Sequence, residues 1–279
     1  LLAMAATDEP VRQRAAQQET GHSRDLERPP LPEPLRTPVI DTHCHIDIHD
    51  GDAGAEWLGV GEALARAASV GVTRVVQVGC DLPSARWSVV AANEYEHLVA
   101  TVALHPNEAP RIEAASGRAA LEEGWAEIES LAADPRVRAV GETGLDFFRT
   151  GEEGRATQEE SFRRHIDLAK RLGKPVVIHD RDAHDDVIRV LESEGAPEHV
   201  VFHCYSGDAE MARQIVFERF QEEAYTRGLR VITTILKADQ EAAYASLRRG
   251  VLDYDKRHGY RGAKGYADIG QPGAALDEA

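Results

Sequence analysis

Between Val39 and about Val216 one pattern recurs six times. A short apolar run rich in β-branched residues is followed by a longer stretch with apolar residues at helical spacing. The strand-like runs are Pro38 to His43, Arg74 to Val78, Leu98 to Leu104, Val137 to Gly141, Pro175 to Ile178 and Val200 to Phe202. Helical patterns cover Glu62 to Val70, Ser84 to Tyr95, Arg118 to Ala133, Thr157 to Leu172 and Ala183 to Glu194, and another starts at Asp208. Gly173 stands where the Thr157 to Leu172 helix needs a C-terminal stop. The connections are short, so the alternation predicts an α/β fold with a parallel sheet covered on both faces. A closed barrel of this kind needs eight units. Six predict an incomplete barrel whose first and sixth strands keep unpaired backbone groups.

The flanks read differently. Residues 1–37 are polar and carry Pro29, Pro30, Pro32 and Pro34 near their end, which predicts a disordered tail with an extended linker. Residues 38–216 form the barrel region, and 217–279 are of another character. Thr226 to Ile235 has the composition of a single strand, and Leu236, Gln240, Ala243, Tyr244, Leu247, Val251 and Tyr254 recur at helical spacing. From His258 the chain is rich in Gly and polar residues and is expected to fray.

Composition narrows the function. With 279 residues and 42% hydrophobic content there is ample material for a buried core. The net charge of -16 provides no long-range field attracting nucleic acid, so phosphate must be met by metals and a few local arginines. Cys44, Cys80 and Cys204 lie far apart in sequence, which is no disulfide framework and suits a reducing cytoplasm. No apolar run is long enough to span a membrane, and Leu1 to Ala6 does not read as a signal peptide.

The chemistry gathers at strand ends. Val39 to Asp47 (VIDTHCHID) closes a strand with two histidines one residue apart, so His43 and His45 share a face with Asp41. Asp41 is placed to orient a ring through its other nitrogen. Glu142, His179 and His203 follow the ends of three later strands. The active site of a parallel barrel lies on that face. Imidazole and carboxylate ligands there suit divalent zinc, manganese or magnesium. Glu142 is placed to bridge two ions, and such a pair activates water and neutralises charge on a displaced oxygen. His105, in Leu104-His105-Pro106-Asn107, either contacts substrate or caps its turn. Arg149 and Arg181 follow two of the ligand-bearing strands and are either phosphate contacts or solvated surface cations. Asp146 reads as a support for the ligands, and Cys44 and Cys204 as small packed groups.

Four segments carry a family likeness. Val39 to Asp47, Gly141 to Arg149 (GETGLDFFR), Pro175 to His184 (PVVIHDRDAH) and Phe202 to Asp208 (FHCYSGD) resemble the TatD family of metal-dependent hydrolases, over roughly residues 38–213. The resemblance implies a TIM barrel of the amidohydrolase type, two divalent metals and nuclease activity on DNA. By that likeness His43 and His45 hold one metal, Glu142 bridges, and His179 and His203 complete the set. The family also carries an aspartate in a Glu-Thr-Asp-type motif after its last catalytic strand. No such motif follows His203, and Asp253-Tyr254-Asp255 is the nearest match, inside a predicted helix. Glu222 to Ile235 and Gly250 to Gly262 instead resemble the segment between the two catalytic modules of class A penicillin-binding proteins.

The sequence thus supports a metal-dependent hydrolase of phosphodiester bonds in DNA. Hydrolysis of a small amide, ester or lactone on the same site is the alternative within enzymes, since function belongs to the site and its loops. A fusion with an incomplete, inactive metal site is the alternative outside them. The open sheet edges also predict association between chains.

Overall fold

The structure, a computed structural model, describes residues 7, 9–14, 30–50, 57–203 and 249. The elements run β1 (Arg12–Arg14), β2 (Val39–Cys44), β3 (Ile48–Asp50), α1 (Val60–Ser69), β4 (Val72–Gly79), α2 (Leu82–Glu94), β5 (Leu98–Val102), α3 (Glu108–Ala132), β6 (Val137–Asp146), α4 (Glu152–Leu172), β7 (Val176–Arg181), α5 (His184–Glu194) and β8 (Val200–His203). Six strands pair in parallel in the order β2-β4-β5-β6-β7-β8. Each neighbouring pair is joined through a helix, as the alternation predicts. This is a parallel half-barrel of six strands, and β2 and β8 are its outer strands among the described residues.

The helices bury one stripe each against the sheet. Val75, Leu98, Val102, Val140 and Ile178 from the strands share a core with Ala85, Leu121, Ile128, Phe162, Ile166 and Val187 from the helices. Each large side chain so buried contributes about 1.5–3 kcal/mol. Helix ends are closed by local chemistry. Asp81 caps α2, its carboxylate accepting from the Ser84 amide at 2.8 Å. Gly173 ends α4 in a left-handed conformation, φ 61°, with its amide donating back to the last turn. The outer strands are less covered: Val39, Ile40 and Val201 are 43%, 52% and 48% exposed, whereas every residue of β6 except Arg138 is buried.

Three expectations need correction. Residues 9–14 do not belong to a disordered tail. Arg12–Arg14 pairs in parallel with Ile48–Asp50, and the Val11 and Arg12 amides donate to the Asp47 carbonyl. The Trp87 indole donates to the Glu9 carbonyl, the Thr7 hydroxyl to Glu94, and Arg12 forms an ion pair with Asp81. Apolar Val11 against the core and these polar contacts outweigh the low hydrophobicity on which the disorder expectation rested. Second, α3 starts at Glu108 and absorbs Gly117 as a kink, φ 84°, where periodicity alone showed only the later part. Third, β6 runs past Gly141 to Asp146, which places Glu142 inside a strand. Apart from Arg249, the predicted strand and helix at 226–254, with Asp253 and Asp255, lie outside the described residues, as do the segments resembling penicillin-binding proteins.

Candidate metal centre

The centre begins with two glycines in β6. A Cβ at Gly141 would overlap Val177, and one at Gly144, φ 134°, would overlap the His179 carbonyl. Their absence lets β6 lie unusually close to β7. That approach sets Glu142 beside His179, with Nδ1 of the imidazole 2.6 Å from Oε1 of the carboxylate. Glu142 is 4% exposed, and other rings close around it. His43 Nε2 lies 3.4 Å from Oε2, while His105 Nε2 and His203 Nε2 lie 3.8 and 3.9 Å from Oε1. Cys80 Sγ lies 3.7 Å from Oε2.

Three of the rings are oriented by neighbouring groups. His45 donates from Nδ1 to the Val78 carbonyl at 3.1 Å, so that Nε2 carries the lone pair. His105 accepts at Nδ1 from the Asn107 amide at 3.2 Å and turns Nε2 toward His179 Nδ1 at 3.3 Å. The turn-capping reading of His105 is seen at Nδ1, and its other nitrogen faces the cluster. His179 Nε2 lies 3.3 Å from Asp146 Oδ2. Asp146 is itself held by the Asn107 side chain at 3.0 Å and the Arg149 amide at 2.9 Å. Gln158 Oε1 accepts from the Asp146 amide, and Gln158 and Thr150 both donate to Asn107 Oδ1.

Electrostatics favour an ionised carboxylate at the centre. Burial opposes ionisation of Glu142, but the imidazoles of His179 and His43 beside it override that and hold its pKa far below the usual carboxylate range. Burial lowers the pKa of His105 to about 4, against the opposing pull of Glu142. It lowers those of His45 and His203 too. Asp146 is lowered as well, burial being outweighed by its bonds from Asn107 and the Arg149 amide.

This donor set fits a divalent cation. His43 Nε2 and His179 Nε2 are buried with carboxylate oxygens 3.4 and 3.3 Å away but without a hydrogen bond of good geometry, an arrangement that a ligated ion would relieve. Ligand atoms converge in three groups around the shared carboxylate: His43, Glu142 and His203; His45, Cys80 and Glu142; and His105, Glu142 and His179. Within each group the atoms lie within 4.8 Å of one another.

Other predicted residues are placed differently. Asp41 is exposed and accepts from the His43 backbone amide at 3.0 Å; the ring of His45 is oriented by the Val78 carbonyl instead. The strand pairing shifts between Asp41 and Cys44, which breaks the alternation on which the Asp41 reading rested. Arg149 is exposed, and Arg181 stacks its guanidinium 3.9 Å from the Phe148 ring centroid. Cys44 donates to the Val76 carbonyl at 3.3 Å and packs on the core. Cys204 lies outside the described residues. Cys80, Asn107 and Gln158 were missed. Cys80 immediately follows β4, and the same strand-end position that marked the histidines marks it too.

Comparison with known proteins agrees with this architecture. The family described as TatD related DNase matches residues 40–250. A Mycobacterium tuberculosis protein named uncharacterized metal-dependent hydrolase TatD is 46% identical over 185 residues, 64% of this chain and 65% of that protein. An Escherichia fergusonii protein named 3'-5' ssDNA/RNA exonuclease TatD is 35% identical over 154 residues, 53% of this chain and 54% of that protein. The crystal structure of YJJV, a TatD homologue from Escherichia coli K12, superposes with a TM-score of 0.52 at 30% identity, covering 63% of this chain and 64% of that one. The match thus spans less than two thirds of each relative's length. The fold, the motif segments and the family match agree: this chain belongs to the TatD related DNase family.

Proposed function

We propose that this chain is a metal-dependent hydrolase that cleaves phosphodiester bonds in DNA. The observation that carries the proposal is the convergence of His43, His45, His105, His179, His203 and Cys80 on the buried carboxylate of Glu142. His43, His45, Glu142, His179 and His203 are the residues that would hold two ions. Bound divalent ions supply Lewis acidity, activating water and neutralising charge on a displaced oxygen. Glu142 holds one full negative charge at the centre, where both halves of the cluster share it. Asp146, fixed by Asn107, lies 3.3 Å from the His179 ring and is placed to orient it once Nε2 carries a proton. His105 presents a neutral nitrogen to the site and is a contact for substrate oxygen. Arg149 and Arg181, which follow β6 and end β7, would supply cations for a phosphate in an otherwise acidic protein.

Two observations extend the proposal. Relatives named as 3'-5' ssDNA/RNA exonucleases support single-stranded ends as the substrate. The free thiols of Cys44 and Cys80 support action in the cytoplasm. No helix among the described residues is long and apolar enough to cross a membrane.

The test is the chelated and then metal-reloaded full chain offered single-stranded DNA and, separately, a small ester and a lactone. Nucleotide release that requires metal is expected. Release of acid from the small substrates without nucleotide release would replace the nuclease reading with small-molecule hydrolysis.

A further inference from the structure

The half of the cluster nearest β2 and β4 contains sulfur. Cys80 is the residue at which β4 ends and the turn into α2 begins, and its backbone is fixed on both sides. Its amide donates to the Ser84 hydroxyl at 2.9 Å, and its carbonyl accepts from the His105 amide at 2.8 Å. The side chain is thereby aimed at the centre, with Sγ 3.7 Å from Glu142 Oε2. A ligand atom of His45, the sulfur of Cys80 and a carboxylate oxygen of Glu142 lie within 4.8 Å of one another.

Cys44 provides the internal contrast. Its sulfur is turned to the Val76 carbonyl at 3.3 Å and to Gln77 Oε1 at 3.9 Å, and it belongs to none of the ligand groups. Cys80 is not an isolated thiol either. The buried Nε2 of His43, without a hydrogen bond of good geometry, lies 3.4 Å from the same Glu142 Oε2 that the sulfur faces. A sulfur, an imidazole and a carboxylate around one point form the mixed donor set of a tetrahedral zinc site, whereas magnesium takes oxygen ligands in octahedral geometry.

We propose that Cys80 is a metal ligand which, with His45 and Glu142, makes this half of the cluster selective for a thiophilic divalent ion, zinc over magnesium. The proposal rests on reading the cluster as a metal centre. It goes further by assigning one ligand as sulfur and by ranking the metals. On binding, the thiol proton leaves to solvent and the sulfur enters as thiolate.

Cobalt(II) reports the ligand directly, because thiolate ligation adds an intense charge-transfer band in the near ultraviolet to the visible ligand-field bands. Titration of the metal-free full chain with cobalt is expected to give both sets of bands. Cys80→Ser is expected to lose the charge-transfer band and keep the ligand-field bands, and excess magnesium is expected to leave both intact in the wild type. Ligand-field bands without charge transfer in the wild type, or a charge-transfer band that survives Cys80→Ser, overturns the assignment of sulfur and leaves the metal centre standing. Displacement of cobalt by magnesium overturns the selectivity. No cobalt binding at all would remove the metal centre itself and the proposal with it. The double variant Cys44→Ser, Cys204→Ser retains Cys80 as its one thiol and leaves the site residue untouched. Loaded with zinc, it is expected to show a sulfur neighbour at about 2.3 Å by X-ray absorption. A first shell of nitrogen and oxygen alone contradicts the proposal.

Discussion

The rings of His43 and His203 stack with centroids 3.5 Å apart and planes 11° apart, although their strands stand at opposite ends of the six-strand order. The sheet therefore curves enough for its two outer strands to deliver imidazoles to one point. Glu142, from a strand between them, lies within 3.4 Å of one ring nitrogen and 3.9 Å of the other. Assembly of the centre requires this curvature rather than pairing between β2 and β8.

Glu142→Gln keeps the shape of the side chain and removes the charge that three ligand groups share. We expect metal affinity to fall by more than about 100-fold, beyond the effect of losing an outer-sphere partner, and metal-dependent hydrolysis to disappear. Titration of metal into the variant, followed by metal analysis, checks this. Wild-type affinity and full activity would remove the bridging role.

The close approach of β6 and β7 makes a graded test at glycines. Gly144→Ala places a Cβ into the His179 backbone at φ 134°. A loss on the order of 3 kcal/mol in unfolding free energy is expected, combining conformational strain with a forced backbone shift. Gly117 also has positive φ, 84°, but open space around its Cβ position. Gly117→Ala should therefore cost the conformational strain alone, about 1–2 kcal/mol. Equal losses by denaturant unfolding would show that the β6–β7 approach does not depend on the glycine.

Much of this was readable from residue patterns. The six strands and five of the helices follow from apolar runs and periodicity, because a parallel sheet covered on both faces needs continuous apolar strands. His43, Glu142, His179 and His203 are legible because each lies at or near the end of such a run. Elements set by tertiary contact were not. Residues 9–14 are held by Asp47, Trp87 and Asp81, which lie 33 or more positions later in the sequence. Asn107 and Gln158 gain their role only when α3 and α4 bring them to Asp146. Asp41 was misread because strand alternation fails at the pairing irregularity after it.

His165 predicts an acid-sensitive step in stability away from the cluster carboxylate. It is fully buried, donates from Nδ1 to the Ser161 carbonyl at 2.6 Å and accepts at Nε2 from the Leu104 amide at 3.2 Å. A proton on Nε2 would face another donor. Burial lowers its pKa from 6.5 to about 4, so between those values the unfolded chain binds more protons and stability falls as pH falls. The loss across that window is about 3 kcal/mol. In metal-free protein, denaturant unfolding at a series of pH values should show His165→Gln to have a flatter profile than the wild type by this amount. Parallel profiles would contradict the neutral tautomer.

The outer strands predict association. Val39 and Ile40 on β2 and Val201 on β8 are about half exposed on strands that pair on one side among the described residues. The melting temperature should rise with protein concentration, and Ile40→Lys with Val201→Lys should weaken that dependence. A concentration-independent melting temperature for a monodisperse monomer would rule the association out.

The most direct test of the metal centre is the number of divalent ions retained per chain after desalting, in the wild type and in His179→Ala. The Nδ1 of His179 touches Glu142 at 2.6 Å, and its Nε2 is buried without a hydrogen-bond partner. We expect the wild type to retain bound metal and His179→Ala to lose at least one ion per chain. Equal metal content in the two proteins, or none in the wild type, would contradict the account.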